Sequence, residues 1–276
     1  MKLSIIIGNY NTIELTKACI ESIFKYRPKF SFEVIVVDDA SNDNSQKELK
    51  SLEKKYKNLK VLLNIKNLGY VRTNNKGINA SKGEYKLLLN SDTLVQEKSI
   101  DNLVEFAEKT PDAGVVGSRL VNIDGTIQES CMEFPKIKNV ILKYYFGKSH
   151  LFEKFYPKGN DPVVVDSIVG ASFLIAPKAY KLVGNLNEKY TSYFEDLDYC
   201  REVYRKGLKV YYLPTSEIVH YHGESFKQLS TWDNQWRKLV PGSIEYHGKF
   251  KHYLIHVLSW TGQKFSKIFF KNQKTI

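Results

Sequence analysis

Four nearly continuous apolar runs mark the first hundred residues, at 2–7, 32–38, 59–65 and 85–90. A strand needs such a run, without polar alternation, when both of its faces are covered, as in a parallel sheet wrapped by helices. Amphipathic stretches separate the runs. Leu15, Ala18, Cys19, Ser22, Ile23 and Tyr26 fall on one helical face after the first, and Leu49, Leu52 and Tyr56 form a weaker stripe after the second. Strand, helix, strand, helix predicts a doubly wound α/β half. In such sheets ligands bind beyond the carboxyl ends of the strands. That singles out Asn9-Tyr10-Asn11, Asp38-Asp39, Asn67-Leu68-Gly69 and Asn90-Ser91-Asp92, all polar.

The second half is less regular. A strand is expected near 113–120, a lysine- and aromatic-rich stretch over 134–160, and an apolar run over 163–176. A helix follows at about 195–206, then short strands at 210–213 and 218–221. There is neither an internal repeat nor a low-complexity linker, so this half continues the first.

Composition narrows the class. With 276 residues and 42% hydrophobic content the chain can bury a core. Cys19, Cys131 and Cys200 form neither a CxxC pair nor a zinc pattern, which fits a reducing compartment. No secretory signal and no apolar run long enough to span a membrane is apparent, so a cytoplasmic protein is expected. The net charge of +11 calls for an anionic partner. Residues 248–276 hold six lysines and no acid, so more than half of that excess sits in the tail. A nucleic-acid binder would carry its lysines on the folded body, and here the strand ends are acidic; no nucleic acid is expected. In the tail Phe250, Tyr253, Leu254, Val257, Leu258, Phe265, Ile268 and Phe269 recur near helical spacing among the lysines. Such a basic amphipathic helix can lie on the anionic inner face of the cell membrane. Packing on its own domain or on a second subunit, as a homodimer, is the alternative.

Several acids carry candidate chemistry. Asp38 and Asp39 are neighbours at a strand end, where successive side chains point to opposite faces; one can meet a ligand while the other anchors the loop, or either can cap the next turn. Asp92 ends the fourth run, where a carboxylate could hold a hard divalent cation together with substrate phosphates, or merely close a turn. Glu195, Asp196 and Asp198 open a helix whose dipole favours negative charge, but one or two acids would suffice for capping. His220 and His222 follow on a short apolar segment and could equally be core residues. Neither GxxxxGK[ST] nor GxGxxG occurs, which removes the main support for ATP hydrolysis and dinucleotide chemistry.

Taken in order, these segments resemble the family 2 glycosyltransferases of GT-A fold, especially their rhamnosyltransferase-like branch. The resemblance runs over most of residues 3–225. It is carried by Ser4-Ile5-Ile6-Ile7 with Asn9-Tyr10-Asn11, Val36-Val37-Asp38-Asp39-Ala40-Ser41, Asn67-Leu68-Gly69 with Asn75, and Asn90-Ser91-Asp92. Gly117 through Asp124-Gly125-Thr126-Ile127-Gln128, Gly170-Ala171-Ser172-Phe173, Phe194-Glu195-Asp196-Leu197-Asp198, and His220 with Gly223 and Ser225 complete it.

The resemblance implies a GT-A domain over 1–225, with a nucleotide-sugar half (1–112) and an acceptor half (113–225), followed by a basic helical extension (226–276). It implies a nucleotide-sugar site made of Asn9, Tyr10, Asn11, Asp38, Asp39, Gly69, Arg72, Asn75, Asn90 and Ser91. Within it Asp39 would touch the base, and Asp38 would lie beside the ribose or position the loop. Asp92 would be the surviving acid of a DxD-like motif whose first position is Asn90. It would hold Mn2+ or Mg2+ with His220 near the diphosphate, His222 being the second choice. Asp196, with Glu195 beside it, would be the base that deprotonates the acceptor. The implied donor is dTDP-rhamnose or a UDP-sugar, and the implied acceptor a glycan or a lipid-linked glycan in cell-surface polysaccharide synthesis. A sugar-phosphate nucleotidyltransferase would begin with a glycine-rich, Arg-containing loop that SIIIGNYNT lacks, and a non-catalytic glycan-binding relative has no need of Asp196.

Overall fold

A computed structural model describes residues 1–148, 153–191, 193–221 and 232–269. The first half follows the apolar runs: β1 (Leu3–Asn9), α1 (Ile13–Lys25), β2 (Phe32–Asp38), α2 (Ser45–Lys55), β3 (Leu59–Leu63), α3 (Tyr70–Ala80) and β4 (Tyr85–Leu89). Burial of nearly every residue of β1, β2 and β4 explains why their sequences do not alternate. These strands are parallel in the order β3-β2-β1-β4, and the register sets Asn9 beside Asp38. Helix α3 lies close on β1: a Cβ at Gly77 would sit 2.4 Å from Ile6 Cγ2.

On α1 the buried stripe is Ile13, Thr16, Cys19, Ile20 and Ile23, rotated from the expected one. The reason lies in Ser22, whose hydroxyl donates to the Cys19 carbonyl and accepts from the Val95 amide, so this face meets a strand absent from the sequence-based expectations. That strand is β5 (Thr93–Val95), and α4 (Ser99–Lys109) follows it.

The second half continues the same sheet. Its elements are β6 (Ala113–Val121), β7 (Cys131–Met132), α5 (Ile137–Tyr145), β8 (Val163–Val165), β9 (Ser167–Ile168), β10 (Ser172–Ile175), α6 (Pro177–Val183), α7 (Glu195–Arg205) and β11 (Lys209–His220). The nine-stranded sheet runs β3-β2-β1-β4-β10-β6-β11-β5, with β8 on β11. Only β10 is antiparallel to both its neighbours, β4 and β6. The two short strands expected at 210–213 and 218–221 are the ends of β11, whose pairing with β6 shifts register between Leu213 and Glu217. At that bulge Ser216 donates to the Ser99 carbonyl and meets Ser118, anchoring the irregularity.

Two helices, Trp232–His247 and Lys249–Phe269, close the chain. Gly262 of the last one packs against Tyr144, and Tyr145 bonds Thr261, so this helix rides on α5. No helix among the described residues is long and apolar enough to cross a membrane.

Candidate active site

The ends of β1, β2 and β4 open into a cleft of about 1040 Å³, whose far wall comes from the second half. Of the expected residues it is lined by Asn9, Tyr10, Asp39, Gly69, Asn90, Ser91, Asp92, Glu195, Asp196 and His220. His222, with Gly223 and Ser225, lies outside the described residues.

The two neighbouring aspartates divide their work as strand geometry requires. Asp38 is fully buried and accepts from Asn9 Nδ2 (2.7 Å), Ser41 Oγ (2.6 Å) and the Ser41 amide (3.1 Å). These bonds hold the loop after β2, which fits the second of the two roles expected of Asp38, positioning that loop. Asp39 turns the other way and accepts from Asn64 Nδ2 (2.8 Å) and the amides of Leu68 (2.8 Å) and Gly69 (2.9 Å). It thereby ties the end of β2 to the loop that enters α3. Gly69 has φ of +81°, a conformation glycine adopts without strain.

Three more expected donor contacts stand outside the cleft. Asn11 accepts from the Asn42 amide (2.9 Å) and bridges two loops. Arg72 pairs with Glu188 at 3.5 Å on the surface. Asn75 exchanges two bonds with the Leu186 backbone, donating at 2.8 Å and accepting at 3.0 Å, which pins α3 to the second half. A polar residue on the buried face of a helix looks like a ligand in sequence, whereas here it satisfies buried backbone.

Asp92 and His220 come together through the sheet. β11 pairs antiparallel with β5 so that His220 lies opposite Thr93, and the Tyr221 amide donates to the Asp92 carbonyl. Both side chains are buried, with His220 Nε2 3.4 Å from Asp92 Oδ1. The described residues contain no group of three metal-ligating side chains. One carboxylate and one imidazole still fit a divalent cation that takes its remaining ligands from a bound diphosphate and water.

The turn into α7 carries the acids. Tyr193 and Phe194 both have positive φ, and the reversal they make aims Glu195 and Asp196 into the cleft. Asp196 accepts from the Leu197 amide at 2.8 Å. Burial raises its pKa above the ordinary carboxylate range, opposed by the Leu197 and Gly170 amides and by Lys154. Glu195 is pushed up to about 8, by burial first and by the Asp196 charge second. Two adjacent carboxyls with raised pKa values suit proton transfer. Asp198, the third acid, faces away and is paired with Arg201.

Tyr70, Gln128 and Lys154 also line the cleft, beyond the expected set. Tyr70 Oη donates to the Gly170 carbonyl at 3.2 Å, and a Cβ at Gly170 would lie 2.9 Å from that oxygen. The preference for glycine at 170 is therefore legible only once the two halves are folded together.

Comparison with known proteins bears on the family and the fold. The sequence profile described as Glycosyl transferase family 2 matches residues 4–171. The poly(ribitol-phosphate) beta-glucosyltransferase of Bacillus spizizenii is 30% identical over 78% of this chain and 34% of its own length. The N-acetylglucosaminyl-diphospho-decaprenol L-rhamnosyltransferase of Mycobacterium tuberculosis is 24% identical over 70% of this chain and 67% of its own. Against its curated relatives the chain thus spans from a quarter to about two thirds of their length. Among solved structures, a mannosyltransferase from Pyrobaculum calidifontis in complex with GDP-Man and Mn2+ superposes with a TM-score of 0.63 at 15% identity, over 100% of this chain and 76% of that one. At that identity the likeness shows the fold, which is of GT-A type.

Proposed function

Because the chain belongs to glycosyl transferase family 2 and is a glycosyltransferase, we propose that it moves a sugar, with inversion, from a nucleoside-diphosphate sugar to a hydroxyl of a glycan or lipid-linked acceptor during cell-surface polysaccharide synthesis. The observation that carries this reading is the gathering of Asp39, Asp92, His220 and Asp196, from four distant segments, around one cleft. Residues 1–112 hold the donor, 113–225 the acceptor and the base, and 226–276 form an extension.

Inversion in a single displacement needs an alcohol deprotonated as it attacks the anomeric carbon from the face opposite the leaving diphosphate. Asp196 accepts that proton on its carboxylate, with Glu195 beside it. Asp39, held by three donors, meets the base, while Asn9, Tyr10, Gly69, Asn90 and Ser91 line the donor's path. Asp92 and His220 would hold Mn2+ or Mg2+, which neutralises charge growing on the departing diphosphate. The Mycobacterium tuberculosis relative is named a rhamnosyltransferase, which favours dTDP-rhamnose as the first donor to try, ahead of UDP-sugars.

The test is a thermal-shift panel of UDP, dTDP and GDP and their sugars, with and without Mn2+. A ligand of the native state raises its melting temperature. At least one nucleotide should do so, with a gain from Mn2+ that EDTA abolishes. No response to any nucleotide would sink the proposal; a nucleotide response indifferent to EDTA would sink its metal half.

The C-terminal helix supports a membrane-side acceptor. One side of Lys249–Phe269 packs on α5, while Phe250, Tyr253, Val257 and Trp260 are 82%, 60%, 54% and 54% exposed. Their spacing of three, four and three residues aligns them in one stripe. With the tail's six lysines and no acid, this face suits an anionic bilayer, reached from the cytoplasm. Vesicles containing phosphatidylglycerol should float the wild-type chain and lose it when all four residues are changed to serine. Equal flotation, or a homodimer in solution that the same substitutions dissolve, would overturn the membrane assignment.

A further inference from the structure

We propose that Gln128 is a positioning residue: its carboxamide locks His220 in the tautomer protonated at Nδ1, so that the Nε2 lone pair is turned toward Asp92. The inference rests on the proposed cation site, and its structural part stands on hydrogen-bond logic alone.

Which end of an amide carries the oxygen is settled by its partners. Asp124, an ionised carboxylate, can only accept, and the Thr126 hydroxyl lies 2.6 Å from its Oδ1. Thr126 therefore spends its proton there and must accept from Asn122, whose Nδ2 is 2.8 Å away. That turns Asn122 Oδ1 toward Gln128, whose Nε2 donates to it at 2.7 Å. The second proton on that nitrogen goes to the His220 carbonyl at 2.6 Å, another atom that can only accept. Flipping the Gln128 amide would set oxygen against oxygen on both sides. Its Oε1 is thus fixed opposite His220 Nδ1, 2.9 Å away, and an acceptor there requires the proton on Nδ1. When the ring is neutral, its lone pair is on Nε2, the atom 3.4 Å from Asp92 Oδ1.

The turn that follows β6, closed by an antiparallel bridge between Val121 and Ile127, is built to hold this relay. The Gln128 amide donates to the Leu120 carbonyl, the Asn122 amide to the Thr126 carbonyl, and Gly125 makes the turn with φ of +82°. The side chain of Gln128 is itself buried. Histidine in water prefers the opposite tautomer, so without this acceptor the ring would present a proton where a cation ligand is needed. Partners that orient a ligating histidine commonly change metal affinity by roughly 10- to 100-fold when removed.

The test has two arms on the full chain. Long-range 1H–15N correlation spectra of the histidine-labelled, metal-free protein at pH 8, with the His220 signals assigned from their loss in His220→Gln, should show His220 protonated at Nδ1. Protonation at Nε2 would overturn the proposal, whatever any variant does. In the second arm, Gln128→Leu should weaken Mn2+ binding in the presence of UDP, read by electron paramagnetic resonance, roughly 10- to 100-fold. UDP binding without metal should be unchanged. Wild-type Mn2+ affinity in that variant would overturn the positioning role. A chain that binds no nucleotide would defeat the proposed function instead and leave the tautomer result standing. If Gln128→Leu does not fold, the spectra of the wild type decide.

Discussion

Replacing Asp196 by Asn should lower the transfer rate about 1000-fold, the middle of the range for loss of a general base and equivalent to about 4 kcal/mol of barrier. Asn has the same shape and keeps an oxygen for the Leu197 amide. What it loses is the ability to take the acceptor's proton. The nucleotide thermal shift should persist, because Asp39 and Asp92 are untouched. Transfer within tenfold of wild type would remove Asp196 as the base.

The same carboxyl pair fixes the sign of the pH dependence. Burial raises both pKa values, so the wild-type rate should fall as pH drops through the raised range and the base becomes protonated. Stability runs the other way. The folded state holds protons that the unfolded chain has already released, so their stabilising contribution is complete below the ordinary carboxylate range and is lost as pH rises toward about 8. Both groups are only half-buried at the cleft wall, which tempers the effect. Activity rising with pH while the melting temperature falls is the expected pattern in wild type, and Asp196→Asn should flatten the second trend. A wild-type rate that increases on acidification would contradict the assignment.

Much of the donor side is legible in sequence because a parallel sheet imposes local rules. A strand buried on both faces must be apolar throughout, and its carboxyl end must turn polar where the cleft begins, so Asn9, Asp39 and Asn90 to Asp92 stand out. The same rules do not tell a ligand from a polar residue that serves the fold. Asn75 and Asp38 are buried among backbone and side-chain partners that no single segment reveals. Short elements escape for another reason: β5 has three residues, too few for a period, and its only pattern is set by the distant β11. The acceptor side depends on contacts of this non-local kind. His220 meets Asp92 through the β5–β11 ladder, and Gln128, just beyond the turn that follows β6, meets His220. Motif order could name these residues, but only the sheet explains why they meet.

If Asp39 meets the donor as proposed, fold and chemistry share one group there, and Asp39→Asn should damage both. The carboxylate faces three N–H donors, two on Oδ1 and one on Oδ2. An amide can present one oxygen, so whichever way it turns, its own NH2 opposes at least one donor in a nearly closed site. The gentler orientation leaves the half-buried Gly69 amide facing N–H protons, with the 3.1 Å bond to Asn67 Oδ1 still available to it, and an under-satisfied donor of this kind costs about 1–3 kcal/mol. For a chain of this size that corresponds to a fall of roughly 2–5 °C in melting temperature. Asn64 is held in its present orientation by Lys76 Nζ, which donates to its Oδ1 at 2.6 Å, so it cannot rotate to rescue the pair. The loop 67–69 lines the cleft, so the lost anchor is also a lost wall of the donor site. The nucleotide thermal shift of the variant should therefore disappear at ligand concentrations that saturate the wild type, the reverse of the behaviour expected for Asp196→Asn. A variant that melts within about 1 °C of wild type and keeps its full nucleotide shift would show that Asp39 neither anchors the loop nor meets the donor.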